Sequence, residues 1–577
     1  MSLVVLGLSG ALTHDPSAAI YVDGELIAAA EEERFTRQKH AKNAMPLHAA
    51  RYVLREANLK AKDVDVVAFP FGKVSLFGKA RWHYAKRHWY APDRALDAIF
   101  NGNRHYRRNV KKVRELLLAL GINWADIEFD AVEHHIAHAS SSYHLSGFEG
   151  KTAILGIDGK GEYATTFFGY GENGHIHKIK EFYDPDSLGQ VYASFTEYLG
   201  FEMLDGEYKV MGMAPYGNPD LYDLSRLVHF DGKEITVNTE LVNTIGLRRY
   251  KEGRKGYYFS QKLIDWLGPR RQGDIADDPY IHYAAAMQKM YEDISLQLID
   301  TYLGDILRET GRLVFAGGGA LNVKLNQKIL ALPYVKEFFV QPAASDAGTA
   351  VGAASFASWK RGVTPAKMEH VFLGPSYSTE ECIEACESHS GHPVYEKPGN
   401  IIERAAELLN AGNPVAWCQG RMEFGPRALG GRSILGCPSY GGIANKINEQ
   451  IKFRERWRPF CPSVLDTVAK DMIQTDHPAP YMTITFEVSE EWNARIPEVV
   501  HEDGTSRVQI VEESTNPRYH ALLKKMEQLN GNGAVLNTSM NRRGEPMVCS
   551  PTDALNMFFG SDLEYLVLED LLVTKRK

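Results

Sequence analysis

A strand–turn–strand–turn–strand pattern occurs twice within the first 182 residues, and it limits the possible folds more than any other feature of the chain. Residues 3–10 read LVVLGLSG and 17–35 read SAAIYVDGELIAAAEEERF; residues 152–159 read TAILGIDG and 162–182 read EYATTFFGYGENGHIHKIKEF. In each copy an apolar strand closes on Gly-x-x-Gly or Gly-x-Asp-Gly and is followed by a β-rich hairpin. Asp23-Gly24 and Glu172-Asn173-Gly174 supply the turns, because Asn, Asp and Gly tolerate positive φ. Helical sequence follows each copy. With 577 residues there is room for two to four domains.

Two such units look like the duplicated core of an actin-like (ribonuclease-H-like, ASKHA) ATPase, in which the first hairpin of each half cups phosphate or metal. The predicted class is α/β. A long amphipathic helix is expected over 279–310, with Tyr283, Met287, Tyr291, Ile294 and Leu298 at helical spacing. RLVFAGGGALNVKLN then predicts a strand, a glycine triplet and a helix start, and EFFVQPAASDAG a further strand before a helix of small residues. Pro and Gly punctuation marks a linker at 363–378, which divides a domain at 1–362 from a second α/β domain at 379–577.

The formal net charge of −8 excludes a generally basic nucleic-acid binder, though not a local basic patch. Such a patch is present at 79–114, where Lys and Arg alternate with Trp82, Tyr84, Trp89, Tyr90 and Tyr106. Its composition suits single-stranded nucleic acid, an acidic acceptor or a helical cap alike. The start lacks a basic n-region, and no apolar run nears the roughly 20 residues that span a bilayer, so a cytoplasmic protein is expected. All six cysteines lie beyond residue 381 and none forms Cys-x-x-Cys, which predicts reduced structural thiols.

The sharpest chemical signal is EHHIAHASSSYHLSGF. His134 and His138 stand four apart on a predicted helix, within reach of one ion. Without the glutamate of His-Glu-x-x-His, zinc-protease chemistry is disfavoured. Asp158 and Asp346 are strand-end carboxylates beside glycines, and two His with two Asp suit iron or manganese better than structural zinc. The glycine triplet at 317–319 offers backbone amides to an anion, and His14-Asp15 places a candidate general base in the first loop. Toward the C-terminus, Arg421, Arg427 and Arg432, then Lys452, Arg454, Arg456 and Arg458, then Arg507, Asn516 and Arg518, and finally LNTSMNRRGEP, read as a Gly-rich anion pocket built on guanidinium forks.

Taken in order, GLSGALTHDPSAAIYVDG, EHHIAHASSSYHLSG, IDGKGE, KVMGMAPYG, FAGGGALNVKLN, PAASDAGTAVGAA, FGPRALGGRSILG, RWRPFCPS and LNTSMNRRGEP resemble the NodU/CmcH/TobZ-type O-carbamoyltransferases over essentially the whole chain. The resemblance implies a TsaD-like, actin-type N-terminal domain and a YrdC-like C-terminal domain. It implies two steps. Carbamoyl phosphate is cleaved and its carbamate joined to ATP, giving carbamoyl adenylate and pyrophosphate; the carbamoyl group then passes to an acceptor hydroxyl. Carried over residue by residue, the metal ligands are His134, His138, Asp158 and Asp346, holding Fe(II). His14 is the general base, Lys39 and Lys209 line the cleft, and Gly318, Gly319 and Asn322 meet the nucleotide. Arg427, Lys452, Arg458, Arg507 and Ser539 bind carbamoyl phosphate and ATP with its Mg2+, and Asn516 and Arg518 are weaker additions. Expected partners are these substrates and a hydroxylated small molecule (an antibiotic, natural product or sugar); a homodimer is the family-based guess. The rival readings are a threonylcarbamoyl transferase acting on tRNA and a non-catalytic nucleotide-binding protein.

Overall fold

The computed structural model describes residues 2–11, 14–242, 257–273, 277–452, 455 and 457–576. The chain separates into two compact units, 1–27 with 43–368 and 28–42 with 369–577. It is a mixed α/β protein with several sheets.

The first unit carries two five-stranded sheets of one topology. β1 (Val4–Leu8), β2 (Ser17–Val22), β3 (Glu25–Glu31), β4 (Val66–Phe69) and β5 (Glu128–Ala131) lie in the order β3-β2-β1-β4-β5. The second sheet holds β6 (Thr152–Ile157), β7 (Ala164–Glu172) and β8 (His175–Tyr183). After a small hairpin of β9 (Val228–Phe230) and β10 (Ile235–Val237), β11 (Arg312–Ala316) and β12 (Glu337–Val340) complete it as β12-β11-β6-β7-β8. In both sheets the first strand pairs antiparallel with the second and parallel with the fourth, and the fourth pairs parallel with the fifth. The continuous apolar runs of β1 and β6 are buried throughout, as central strands covered on both faces require. Edge strand β8 reads HIHKIKEFY and exposes its His and Lys side chains, which blunt the edge. Asp23 and Gly24 turn at φ 50° and 88°, and Asn173 and Gly174 at 51° and 80°, as two-residue hairpins demand.

Two helices hold these sheets together. His134–Tyr143 packs on β6 and β11, Gly348–Lys360 packs on β1, β2 and β4, and the helices pack on each other. The small residues of GTAVGAASFASWK make this possible: a Cβ at Gly352 would sit 1.8 Å from the Ala137 carbonyl oxygen. The expected long helix runs from Tyr280 to Thr310 and buries Tyr283, Met287, Tyr291, Ile294 and Leu298 against β6 and β7.

The second unit is built on eight strands: β13 (Val394–Glu396), β14 (Val415–Cys418), β15 (Arg432–Gly436), β16 (Cys461–Leu465), β19 (Gln509–Val511), β20 (Ala534–Ser539), β21 (Tyr565–Leu568) and β22 (Leu571–Thr574), with the short pair β17 (Phe486–Glu487) and β18 (Thr505–Ser506) apart. Their order is β13-β22-β21-β14-β15-β20-β16-β19, with parallel and antiparallel pairs mixed. Helices Ile401–Asn410 and Pro517–Asn530 pack together over a core centred on Trp417, Leu435, Leu522 and Val535.

Two boundaries differ from the sequence reading. Residues 28–42 group with the second unit: buried Arg34 reaches Glu31 at 3.1 Å, Glu33 at 2.9 Å and the Gly425 carbonyl at 2.9 Å. Of the expected linker, 369–378 joins that unit, since Gly374 N donates to Met422 O at 2.8 Å and Phe424 N to Val371 O at 2.7 Å. Both are long-range pairings that leave no local pattern. The six cysteines are free and buried. Among the described residues no helix is long and apolar enough to cross a membrane.

Candidate functional site

Four buried side chains of the first unit converge. His134, His138, Asp158 and Asp346 each offer one ligand atom, and these atoms lie within 4.8 Å of one another. The fold explains the convergence. His134 and His138 occupy the first two turns of one central helix, Asp158 follows β6, and Asp346 precedes the other central helix. The two Nε2 atoms are 3.1 Å apart; His134 Nε2 is 3.4 Å from Asp158 Oδ2 and 3.6 Å from Asp346 Oδ1. Two imidazole lone pairs cannot face each other so closely without a proton or cation between them. His134 Nδ1 donates to the Pro70 carbonyl at 3.3 Å, which points Nε2 at the cluster, the ring orientation that metal-ligating histidines adopt. Burial opposes charge on His134, but Asp158 and Asp346 overrule it and lift the imidazole to about 10. Burial and the neighbouring His134 push His138 far below the ordinary value. Asp158 stays well below the carboxylate range despite burial, through its bond to His134, whereas burial raises Asp346. The cluster thus keeps one positive charge among two carboxylates. Two nitrogens and two carboxylates fit a divalent transition metal.

Glu162 supports this arrangement and escaped the sequence reading, although it ends the IDGKGE motif. Its carboxylate accepts from the Gly72 amide at 2.5 Å and from the His134 amide at 3.1 Å, so it caps the ligand-bearing helix. Burial pushes it up to about 7. Pro70 contributes only a backbone carbonyl, for which no side-chain signature exists.

A small cavity lined by Gly10, Phe69, Pro70, Phe71, Thr349, His134 and Asp346 adjoins the cluster. His14 Nε2 lies 4.0 Å from Asp346 Oδ2, and its Nδ1 is 3.1 Å from Asp15. Burial lowers the His14 pKa, but Asp346 and Asp15 together raise it to about 9. The glycine triplet lies between a strand and a helix, as expected. It forms a 3-10 turn, Gly318–Leu321, and the helix begins later, at Val323. The Gly318 amide donates to Asp158 Oδ1 at 3.0 Å, and a Cβ on Gly319 would come within 2.6 Å of Tyr291 Oη. Asn322 caps the helix through Leu325 N and exchanges two 3.0 Å amide bonds with Gln288. Lys209 extends its Nζ over the Phe201 ring, 5.3 Å from the centroid. Lys39 falls in the 28–42 segment of the second unit.

In the second unit Lys452 is buried, and its Nζ donates to Asn541 Oδ1 at 2.8 Å, Asn541 O at 3.0 Å, Ser539 Oγ at 3.4 Å and Ser539 O. Arg458 pairs with buried Glu455 at 3.6 Å, which also lies 3.9 Å from Arg543. Among the described residues Arg507 Nε is buried without a hydrogen-bond partner, and Arg427 is half-buried. Arg454 and Arg456 lie outside the described residues.

Other predicted anion ligands have partners within the protein. Arg432 is fully buried and donates to the carbonyls of Pro375, Gln419, Gly420, Gly431 and Cys549 at 2.9–3.2 Å. Arg421 donates to the Leu373 and Gly374 carbonyls at 2.8 and 3.3 Å. Loop carbonyls take up the whole Arg432 guanidinium and part of that of Arg421. Arg518 forms ion pairs with Asp570 at 2.6 Å and Glu569 at 3.2 Å, and Asn516 caps the Pro517–Asn530 helix through Tyr519 N.

The family model described as carbamoyltransferase N-terminus matches residues 4–355, and that described as carbamoyltransferase C-terminus matches 406–575. An uncharacterized protein of Synechocystis sp. is 35% identical, over 99% of this chain and 96% of its own. Nodulation protein NolNO of Sinorhizobium fredii is 33% identical over 100% of this chain and 83% of its own, and nodulation protein U of Rhizobium tropici 26% identical over 92% and 90%. Among solved structures, full-length HypF in its phosphate- and nucleotide-bound form aligns over 63% of this chain and 56% of its own, at 11% identity and a TM-score of 0.31. At that score the likeness does not bear on the fold. On the family matches and the near full-length relatives, the chain belongs to the carbamoyltransferase family and is a transferase that carries carbamoyl groups.

Proposed function

We propose that this enzyme is an ATP-dependent O-carbamoyltransferase, which makes carbamoyl adenylate from carbamoyl phosphate and ATP and moves the carbamoyl group to a hydroxyl of a small-molecule acceptor. Adenylation is assigned to the second unit, read as YrdC-like, and transfer to the first, read as actin-like and TsaD-like. The observation that carries the reading is the buried two-His, two-Asp cluster in the unit matched by the N-terminal family model. The shared order of the two five-stranded sheets supports the actin-like assignment.

In the second unit Lys452 binds the anionic substrates. Its ammonium is held in place by the oxygens of Ser539 and Asn541, so little ordering remains to be done when a phosphate arrives. Arg427, Arg458, Arg507 and Ser539 complete this pocket around carbamoyl phosphate and Mg-ATP. The partnerless Nε of Arg507 supports an anion there.

In the first unit His134, His138, Asp158 and Asp346 would hold Fe(II) or another divalent ion. When bound, such an ion supplies Lewis-acid polarisation of a carbonyl or phosphoryl oxygen. His14 takes the acceptor's hydroxyl proton at an imidazole nitrogen. It can do so only when Asp346 is engaged elsewhere, since that carboxylate otherwise keeps His14 protonated at neutral pH. Lys209 is assigned to the acceptor side, and Gly318, Gly319 and Asn322 to the nucleotide; for Asn322 this requires release from Gln288.

Pyrophosphate release from ATP, measured with and without carbamoyl phosphate and with no acceptor present, tests the reading. Release should depend on carbamoyl phosphate. Lys452→Ala should reduce it by about 100-fold or more. His14→Asn should spare it while stopping transfer, and equal loss of both half-reactions would refute the division of labour.

A further inference from the structure

Between β4 and β5 the first unit carries three helices, Lys79–Arg87, Pro92–Asn101 and Arg104–Leu120. Residues 73–112 hold eleven Lys or Arg against two Asp and no Glu, a net charge of +9 in a chain whose total is −8. Internal pairing accounts for only some of these cations. Arg81 is buried and donates to the carbonyls of Val74 at 2.5 Å and Ile99 at 3.0 Å, and Arg87 pairs with Asp186 at 3.0 Å. By contrast Lys73, Lys79, Arg104, Arg107 and Arg108 are exposed.

The same insertion exposes large apolar side chains. Phe77 is 88% exposed, Trp89 78% and Phe100 74%, with Leu76, Trp82 and Leu96 also in solvent. Arg81 ties the 74–77 loop to the end of the second helix, so Phe77 and Phe100 stand at one end of the insertion. The third helix begins there with Arg104 and Arg107 on its outer face and buries Val113, Leu116 and Leu117 on its inner one.

We propose that this face docks on an anionic lipid bilayer. A surface that pairs protruding aromatic and aliphatic side chains with Lys and Arg can seat the former among headgroups while the latter meet anionic lipid. The charge argues against a second copy of the chain, because an isologous interface would set +9 against +9. Single-stranded nucleic acid could use the exposed rings of Phe77, Trp82, Trp89 and Phe100 but not the aliphatic part of the surface. Leu76 and Leu96 have no ring face for a base to stack on. The inference stands independently of the carbamoyl-transfer reading.

Vesicle co-sedimentation tests it. The full-length protein should bind phosphatidylcholine–phosphatidylserine vesicles, should not bind pure phosphatidylcholine, and should be released by salt. Each Lys or Arg near an anionic surface contributes about fivefold in partitioning, so Arg104→Glu with Arg107→Glu should weaken binding by at least about tenfold. Phe77→Ser with Phe100→Ser should weaken it further while leaving the circular dichroism unchanged; all four positions are exposed. Absence of binding at low salt would overturn the proposal. So would binding insensitive to both pairs of changes, a gel shift with single-stranded RNA in place of vesicle binding, or a protein dimer abolished by the phenylalanine changes.

Discussion

Single residues of this chain have their protonation set by burial. His144 ends the ligand-bearing helix, where Nε2 donates to the Gly174 carbonyl at 2.9 Å and Nδ1 lies 2.8 Å from Ser140 Oγ, so the ring is complete as a neutral tautomer. Burial pushes it down to about 4, against which the Gly174 bond works only in part. The unfolded ring titrates near 6.5. Between those values the unfolded chain binds more protons, so the contribution of neutral His144 is full above pH 6.5 and is lost as pH falls toward 4. In urea denaturation at pH 7 and pH 5, His144→Gln should lose less stability between the two than the wild type; equal losses would count against this. The site shows which residue-level features were legible. Spacing and residue type marked His134, His138, Asp158 and Asp346, because ligation needs particular side chains. The same criteria misread Arg432, since a guanidinium that meets a phosphate and one that meets loop carbonyls are the same letter in the sequence.

At the scale of elements, the cluster depends on how closely two helices approach. Gly352 lies against the Ala137 carbonyl, one residue from His138, on the helix that Asp346 precedes. Gly352→Val should force the helices apart, cost about 1–3 kcal/mol or more, and lower metal retention measured by equilibrium dialysis. Retention equal to the wild type in a folded variant would show that the spacing is not what holds the ligands. Glu162 acts on the same helix from its N-terminus. A cation beside a helix N-terminus meets the positive end of the dipole, which this carboxylate offsets. Glu162→Ala should therefore weaken metal binding by about 10–100-fold, and Glu162→Gln, which keeps the acceptor oxygen for the amides, should recover part of it. The elements themselves were readable from periodicity: the hairpins, the 280–310 helix and the helix of small residues all lie where the pattern put them. The turn at Gly317–Gly319 also rests on contacts with Ile157 and Tyr291 from distant parts of the chain, which no local pattern carries.

For the whole molecule, the decisive feature is that the second unit is not contiguous in sequence. Residues 28–42 contribute buried Arg34, whose guanidinium lies between Glu31 and Glu33 and on the Gly425 carbonyl, and Arg37, which donates to Pro546 O at 2.8 Å and Met547 O at 2.6 Å. A fragment spanning 369–577 should consequently unfold at lower temperature and be cut faster by protease than the same region in the full chain. Adding a peptide of residues 28–42 should restore part of the difference. A fragment as resistant as the full chain would mean that this segment is dispensable.

The duplicated strand pattern, the α/β class and the ligand residue types follow from local rules, since strand alternation, turn chemistry and donor identity act over a few residues at a time. The course of 28–42, the assignment of 369–378, the ring orientation set by Pro70, the cap from Glu162 and the structural use of Arg432 depend on groups tens to hundreds of residues apart. Such contacts are specified by packing and by the need to satisfy buried polar atoms, conditions that exist only once the chain has closed on itself.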